Sequence, residues 1–239
     1  MKVGILAAGI TPDELIGQFG SYANMFMELF KANGYTFEFE VFDVRDDVFP
    51  VSADFCDAWI ITGSKSSVYQ NFPWMVKLKS LILDIHLAQK PLIGICFGHQ
   101  IIAMAFGGKV EKYVGGWGVG LHSYDVVAKT DFIPDAQCEF TINAIHQDQV
   151  IEKPLNADVI AQSDFCQYAG LLYDDQILTF QAHPEFSLEY EEALIESRKG
   201  PVVPVNIAEQ GLISLRAQSA ATESNKVAKW MGSFIEKRV

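Results

Sequence analysis

Two hydrophobic periods alternate along the first hundred residues. Residues 3–8, 58–62 and 91–95 are short, nearly continuous apolar runs, the pattern of strands buried on both faces, and 36–41 alternates as a half-buried strand does. Between them the period lengthens. Over 19–32, Tyr22, Phe26, Leu29 and Phe30 fall on one helical face, and Asn33-Gly34 stop the run. Residues 73–88 form a second helical pattern with Pro73 in its first turn, and 98–106 a third. Strand–helix–strand units in series predict a parallel sheet covered on both faces.

The rhythm changes after Gly107. Runs near 108–113, 119–127, 138–143, 158–162, 167–173 and 176–180 are strand-like with short connections, which predicts antiparallel or mixed additions to the sheet. Helical patterns return over 188–198, 206–217 and 222–236, with Pro201 and Pro204 separating the first from the rest. The expected fold is α/β: a three-layer, open, mostly parallel sheet with helices on both faces and antiparallel strand additions. Residues 1–239 are expected to form one domain, with the helices from about 187 onward appended to it. No internal repeat, low-complexity tract or linker interrupts it.

Composition narrows the class. Apolar residues make up 49% of the chain, enough for a substantial core. A formal net charge of −12 repels phosphate backbones and anionic lipid, so neither nucleic acid nor a membrane surface is expected as a partner. No apolar run approaches membrane-spanning length. The apolar start of the chain meets Thr11-Pro12-Asp13-Glu14 at once, which fits a first buried strand better than a signal peptide. Cys56, Cys96, Cys138 and Cys166 show no close pairing, so reduced thiols in a cytoplasmic protein are expected, with no metal knuckle.

The strongest local signal is Gly94-Ile95-Cys96-Phe97-Gly98-His99-Gln100, which leaves a predicted strand and opens a helix. G-x-C-x-G is the cysteine form of a nucleophile elbow: a sharp turn whose crowded backbone is relieved by two glycines. The thiol then stands at the carboxyl end of the sheet, where open α/β folds bind ligands. The N-terminus of the following helix favours an anionic sulfur, and the Phe97 N–H is placed to stabilise an oxyanion. The other three cysteines read as small core residues.

A thiol nucleophile needs a base, and the base needs orientation. His183 lies in Gln181-Ala182-His183-Pro184-Glu185, directly after a predicted strand. Pro184 keeps His183 extended, so residues 183 and 185 point to one side and Glu185 can hold the imidazole. His86, His99 and His122 read as structural, His99 packing beneath the elbow. His146, in a polar segment (143–150) read as a loop between strands, is open to either a structural or a pocket-lining role.

The two motifs together, in this order, resemble the class I, triad-type glutamine amidotransferases, which carry a G-x-C-x-G-x-Q elbow and a late H-P-E. The matches are Gly94, Cys96, Gly98 and Gln100, then His183, Pro184 and Glu185, and the resemblance runs from the first strand to about Phe186. It implies that Cys96 forms a γ-glutamyl thioester, that His183 shuttles the proton, that Glu185 orients His183, and that Gln100 helps hold the substrate's amino-acid end. It implies an oxyanion loop in Ile61-Thr62-Gly63-Ser64-Lys65-Ser66-Ser67, with the Gly63 N–H as second donor beside Phe97. This loop departs from the family's more usual Gly-Gly-Pro. The segment Ile145-His146-Gln147-Asp148 stands where synthetase-linked relatives have a Ser-His-Gly-Asp-type stretch, which points to His146 and Gln147 in the pocket. Gly115-Gly116-Trp117-Gly118 resembles a family loop near the substrate. The loop sequence is most similar to the free-standing branch, which resembles the amidotransferase half of GMP synthase and plant γ-glutamyl peptidases.

The resemblance implies small-molecule chemistry on glutamine or a γ-glutamyl compound, without a cofactor or metal. Three functions remain. A glutaminase subunit would deliver ammonia to a separate synthetase subunit, since no P-loop is present here. A self-sufficient γ-glutamyl peptidase would use the same thioester, with aromatic residues such as Tyr69, Trp74, Phe97 and Trp117 as candidates for its leaving-group side. A non-catalytic relative is disfavoured by the intact Cys–His–Glu set.

Overall fold

The computed structural model describes residues 1–135 and 137–239. Its main sheet has nine strands in two halves. The parallel half consists of β1 (Lys2–Leu6), β2 (Glu38–Phe42), β3 (Ala58–Ile61), β4 (Leu92–Ile95) and β11 (Ile177–Phe180), in the order β2-β1-β3-β4-β11. The antiparallel half continues from β11 through β10 (Gly170–Tyr173), β9 (Ala157–Gln162), β6 (Gly118–Val126) and β7 (Glu139–His146). A separate two-stranded ladder joins β5 (Lys109–Lys112) to β8 (Asp148–Glu152).

Helices cover both faces, as expected. On one face α2 (Tyr22–Ala32) and α7 (Ser224–Glu236) set Ala23, Phe26, Phe30, Val227, Trp230 and Phe234 against Val3, Ile5, Ile60 and Ile93. On the other α3 (Pro73–Leu87) and α4 (Phe97–Ala105) set Met75, Leu78, Ile82 and Ile102 against Leu6, Trp59, Ile61 and Leu92. The continuous apolar runs of β1, β3 and β4 are explained by this, since each strand feeds both cores. Over the antiparallel half, α5 (Leu188–Arg198) and α6 (Val205–Arg216) close over β6 through Val119, Ile195, Ala208 and Leu212.

Three expectations change. Cys138, read as a small core residue, is exposed, whereas Cys56 and Cys166 are buried as expected. The helix expected over 19–32 begins only at Tyr22, and a separate helix that was not expected, α1 (Asp13–Phe19), precedes it: α1 ends at Gly20, whose φ of 75° breaks the run, and α2 starts after Ser21, which forms a capping box with Asn24. Residues 143–150 are not a loop. β7 runs through His146 and β8 begins at Asp148, because Val150 packs in the second core and Gln149 is buried, donating to the Phe165 carbonyl. Among the described residues no helix is long and apolar enough to cross a membrane.

Candidate active site

The elbow forms where β4, in the middle of the sheet, passes into α4. Cys96 sits at φ 52°, ψ −101°, a left-handed conformation that costs a non-glycine residue about 1–3 kcal/mol. Its N–H is tied to the Phe180 carbonyl at 2.9 Å, so the turn is anchored on the adjoining strand β11. Both flanking glycines are required by space. A Cβ on Gly94 would lie 2.8 Å from the Gly98 carbonyl, and one on Gly98 would lie 2.4 Å from the Ile61 carbonyl. The N-terminus of α4 therefore comes down directly behind the thiol, with the Phe97 side chain packed away against Trp74, ring centroids 5.4 Å apart.

His183 reaches the same point from the loop after β11. Its N–H donates to the Asn143 carbonyl at 2.8 Å, and the Asn143 side-chain amide donates to the Phe186 and Ser187 carbonyls. Asn143 thus pins both ends of the His183–Ser187 turn to β7. The His183 Nδ1 lies 2.8 Å from Glu185 Oε1, and the ring stacks on Phe186 at a centroid distance of 4.0 Å and an angle of 4°. Behind Phe186 stand Tyr22 and Tyr190. Burial by itself would depress the His183 pKa. The Glu185 carboxylate and then the Cys96 sulfur outweigh it and hold the imidazole well above its ordinary value.

Gly63 completes the group. A Cβ there would meet His183 Cε1 at 2.8 Å and lie 3.8 Å from Cys96 Cβ, so any side chain would displace the imidazole. Thr62, where the sequence departs from the family pattern, has a bracing role: its hydroxyl accepts from the Ala8 N–H at 3.0 Å and donates to the Gly63 carbonyl at 3.1 Å. The structure brings together Cys96, His183, Glu185, Gly63 and the first amide of α4.

The other expected residues lie around one cavity of about 220 Å³, lined by Cys96, His183, Gln100, His146, Gln147 and Trp117 among others. That is below the roughly 300–1,000 Å³ of pockets for drug-sized ligands, and it suits an amino acid or small conjugate. Gln100 borders the cavity, but its amide nitrogen is committed to the Asp148 carbonyl at 2.8 Å and to Gln181 Oε1 at 3.1 Å. His146 is almost fully buried, and neither ring nitrogen has a hydrogen-bond partner among the described residues. Burial, with His122 and His183 nearby, pushes it down to about 3, so the ring is neutral at physiological pH. Gln147 lines the wall, its carbonyl occupied by the Tyr113 N–H. Of the four aromatic candidates only Trp117 reaches this cavity; Tyr69 turns aside to donate to Asp148 Oδ1, and Trp74 and Phe97 pack on each other. His99 lies under the elbow with Nδ1 2.8 Å from Thr179 Oγ1, and His86 sits on α3 with Asp174 3.6 Å away. Among the described residues no three His, Cys, Asp or Glu side chains gather as metal ligands.

Sequence reasoning passed over Asn143, Tyr22, Arg198 and Glu191. Glu191 is wholly buried on α5, close to the Gly120 N–H yet with neither oxygen completing a hydrogen bond among the described residues. Burial drives its carboxyl up to about 8, against the pull of His183. A folded-state value raised above the unfolded ~4.3 gives stability that is complete below about pH 4 and is lost as pH rises toward 8. Glu191→Gln is therefore expected to leave Tm unchanged near pH 4 and to raise it by several degrees at pH 9. Thermal melts at the two pH values check this, and a shift of equal size at both would contradict it.

Comparisons with known proteins agree on the family. The family model "Glutamine amidotransferase class-I" matches residues 15–199. A γ-glutamyl peptidase 2 from Arabidopsis thaliana is 33% identical over 187 residues, covering 75% of this chain and 74% of that protein. A putative glutamine amidotransferase-like protein from Schizosaccharomyces pombe is 32% identical over 219 residues, covering 84% of this chain and 86% of its own length. Among solved structures, a glutamine amidotransferase from Thermotoga maritima superposes with a TM-score of 0.74 at 20% identity, over 99% of this chain and 97% of the other, a likeness of fold.

Proposed function

The chain belongs to the class-I glutamine amidotransferase family, whose members are hydrolases and amidotransferases, and from that premise we propose that it cleaves the γ-amide of glutamine or a closely related γ-glutamyl compound through a thioester on Cys96. The observation that carries this reading is the convergence on one thiol of an oriented imidazole and a helix N-terminus: His183 is fixed by Glu185 at 2.8 Å, and α4 starts at the residue after Cys96.

In the proposed cycle the Cys96 thiol passes its proton to His183 Nε2 as its sulfur attacks the γ-carbonyl carbon, and the oxygen gains negative charge facing the N–H groups of Gly63 and Phe97. Collapse breaks the carbon–nitrogen bond while His183 Nε2 delivers its proton to the leaving nitrogen. A water then gives its proton back to His183 as its oxygen attacks the thioester. Glutamate leaves and the thiol is restored, so the sum is amide plus water to glutamate plus amine. Glu185 keeps Nδ1 engaged throughout, which presents Nε2 to the sulfur. His146, neutral and unpartnered on the cavity wall, and the carbonyl side of Gln100 are the polar groups we assign to the glutamyl end, with Gln147 beside them.

The same thioester serves a glutaminase that supplies ammonia to a separate synthetase subunit and a self-sufficient γ-glutamyl peptidase. The experiment is release of glutamate, ammonia and free amine by the purified protein from glutamine and from γ-glutamyl peptides, with the acyl-enzyme sought by mass spectrometry. Fast turnover of a γ-glutamyl peptide with slow glutamine hydrolysis supports the peptidase. An acyl-enzyme with only slow turnover of every compound supports a subunit that awaits its partner. No acyl group on Cys96 with any substrate refutes both.

A further inference from the structure

The charges on the cavity wall bear on what is attached to the γ-glutamyl group. The chain as a whole carries −12, yet three cations line the catalytic cavity, Lys65, Lys112 and Arg198, against the single carboxylate of Asp148. Among the described residues none of the three makes an ion pair, whereas their neighbours Lys109 and Lys199 each do. Cations left unpaired around a concave site in an acidic protein focus a positive potential there.

Two of them stand on different elements of the cavity wall, Lys112 on β5 and Arg198 on α5. Lys112 closes β5 directly across the ladder from Asp148, whose carbonyl is held by Gln100. A cation across the ladder from a carboxylate is matched to the α-carboxylate and α-ammonium of a glutamyl group. Arg198 is in the last turn of α5, the helix that follows the His183 turn, and shares the wall with Leu194, Val202 and Val203. It lies on the His183 side: Tyr22, packed against Phe186 beneath the imidazole, is within electrostatic reach of both His183 and Arg198. Any leaving nitrogen must take its proton from His183, so the departing group passes on this side. A basic residue in a last helical turn has a dipole reason to be there. What distinguishes Arg198 is that it is half-buried, lines the cavity, and makes no side-chain hydrogen bond or ion pair among the described residues, while its guanidinium is a planar fork suited to carboxylate.

We propose that Arg198 binds a carboxylate on the leaving group, so that the preferred substrates are γ-glutamyl amino acids or peptides with a free C-terminal carboxylate rather than glutamine. This rests on the thioester reading of Cys96. The experiment is the ratio of kcat/KM for a γ-glutamyl dipeptide to that for its C-terminal amide, measured in wild type, Arg198→Gln and Arg198→Lys, with Cys96→Ala as blank. Wild type is expected to favour the free acid by ~10–100-fold, the range for a hydrogen bond between charged groups, with a ratio near 1 in Arg198→Gln and an intermediate one in Arg198→Lys. Because the ratio is internal to each variant, general damage to the fold leaves it unmoved. Equal Cys96-dependent rates on acid and amide in wild type, or a preference that survives in Arg198→Gln, would overturn the Arg198 assignment alone. No Cys96-dependent glutamate from either compound would overturn the thioester reading, and this inference with it.

Discussion

Cys96→Ala is expected to lower glutamate release by ~10⁴-fold or more, to the level of the blank, while leaving the far-UV circular dichroism unchanged and Tm within a few degrees. The sulfur makes and breaks the only covalent bond between protein and substrate in the proposed cycle, so nothing else in the cavity substitutes for it. The fold is expected to survive because Ala at φ 52° is strained no more than Cys, and because the anchoring hydrogen bond from residue 96 to Phe180 uses the backbone. Cys96→Gly, free of the positive-φ cost, is expected to melt no lower than Cys96→Ala. Glutamate assays and thermal melts on the same preparations read both halves. Activity within ~10-fold of wild type in Cys96→Ala would remove the residue from the role of nucleophile.

His183→Ala is expected to cost nearly as much, and Glu185→Ala less by a factor of ~10–100, because orientation of a base matters less than its presence. The reverse order would exchange the two roles. The pH profile gives an independent readout. Glu185 counters the burial that would otherwise depress His183, so Glu185→Gln should move the alkaline limb of kcat/KM, which reports the imidazolium, toward lower pH. The linked stability has a definite sign. A histidine whose value is raised on folding stabilises fully below its unfolded ~6.5, and that contribution fades as pH rises through the folded value. Glu185→Gln should therefore lower Tm more at pH 6 than at strongly alkaline pH.

What could be seen in the sequence and what could not divide along a physical line. The elbow and the His-Pro-Glu segment were visible because each is local: two glycines within two residues of a thiol, and a proline that fixes the spacing of a histidine and a carboxylate. The strands β1, β3 and β4 were visible for the same reason, since strands buried on both faces are apolar without interruption, whereas β11, parallel to β4, read only as one of the antiparallel or mixed additions. The start of α2 after Ser21 was missed because the break depends on one backbone angle at Gly20. The strand β8 was missed because buried Gln149 satisfies its side chain on the Phe165 carbonyl, 16 residues away, and a burial of that kind leaves a polar signature. Asn143, Tyr22 and Arg198 carry no motif at all; they matter through residues brought beside them by the fold.

The pairing of β4 with β11 has a consequence in time. Leu92 and Ile177 lie side by side in the sheet while 85 residues apart in the chain, and β11 also leads into the turn that carries His183. Contacts of such separation form late, after the loop-closure entropy of the intervening chain has been overcome. A refolding or nascent chain holds its thiol at the end of β4 with no base opposite it until that last parallel register closes. Recovery of hydrolysis during refolding should therefore lag behind recovery of helical signal, and enzymatic turnover serves as the clock for closure of the sheet.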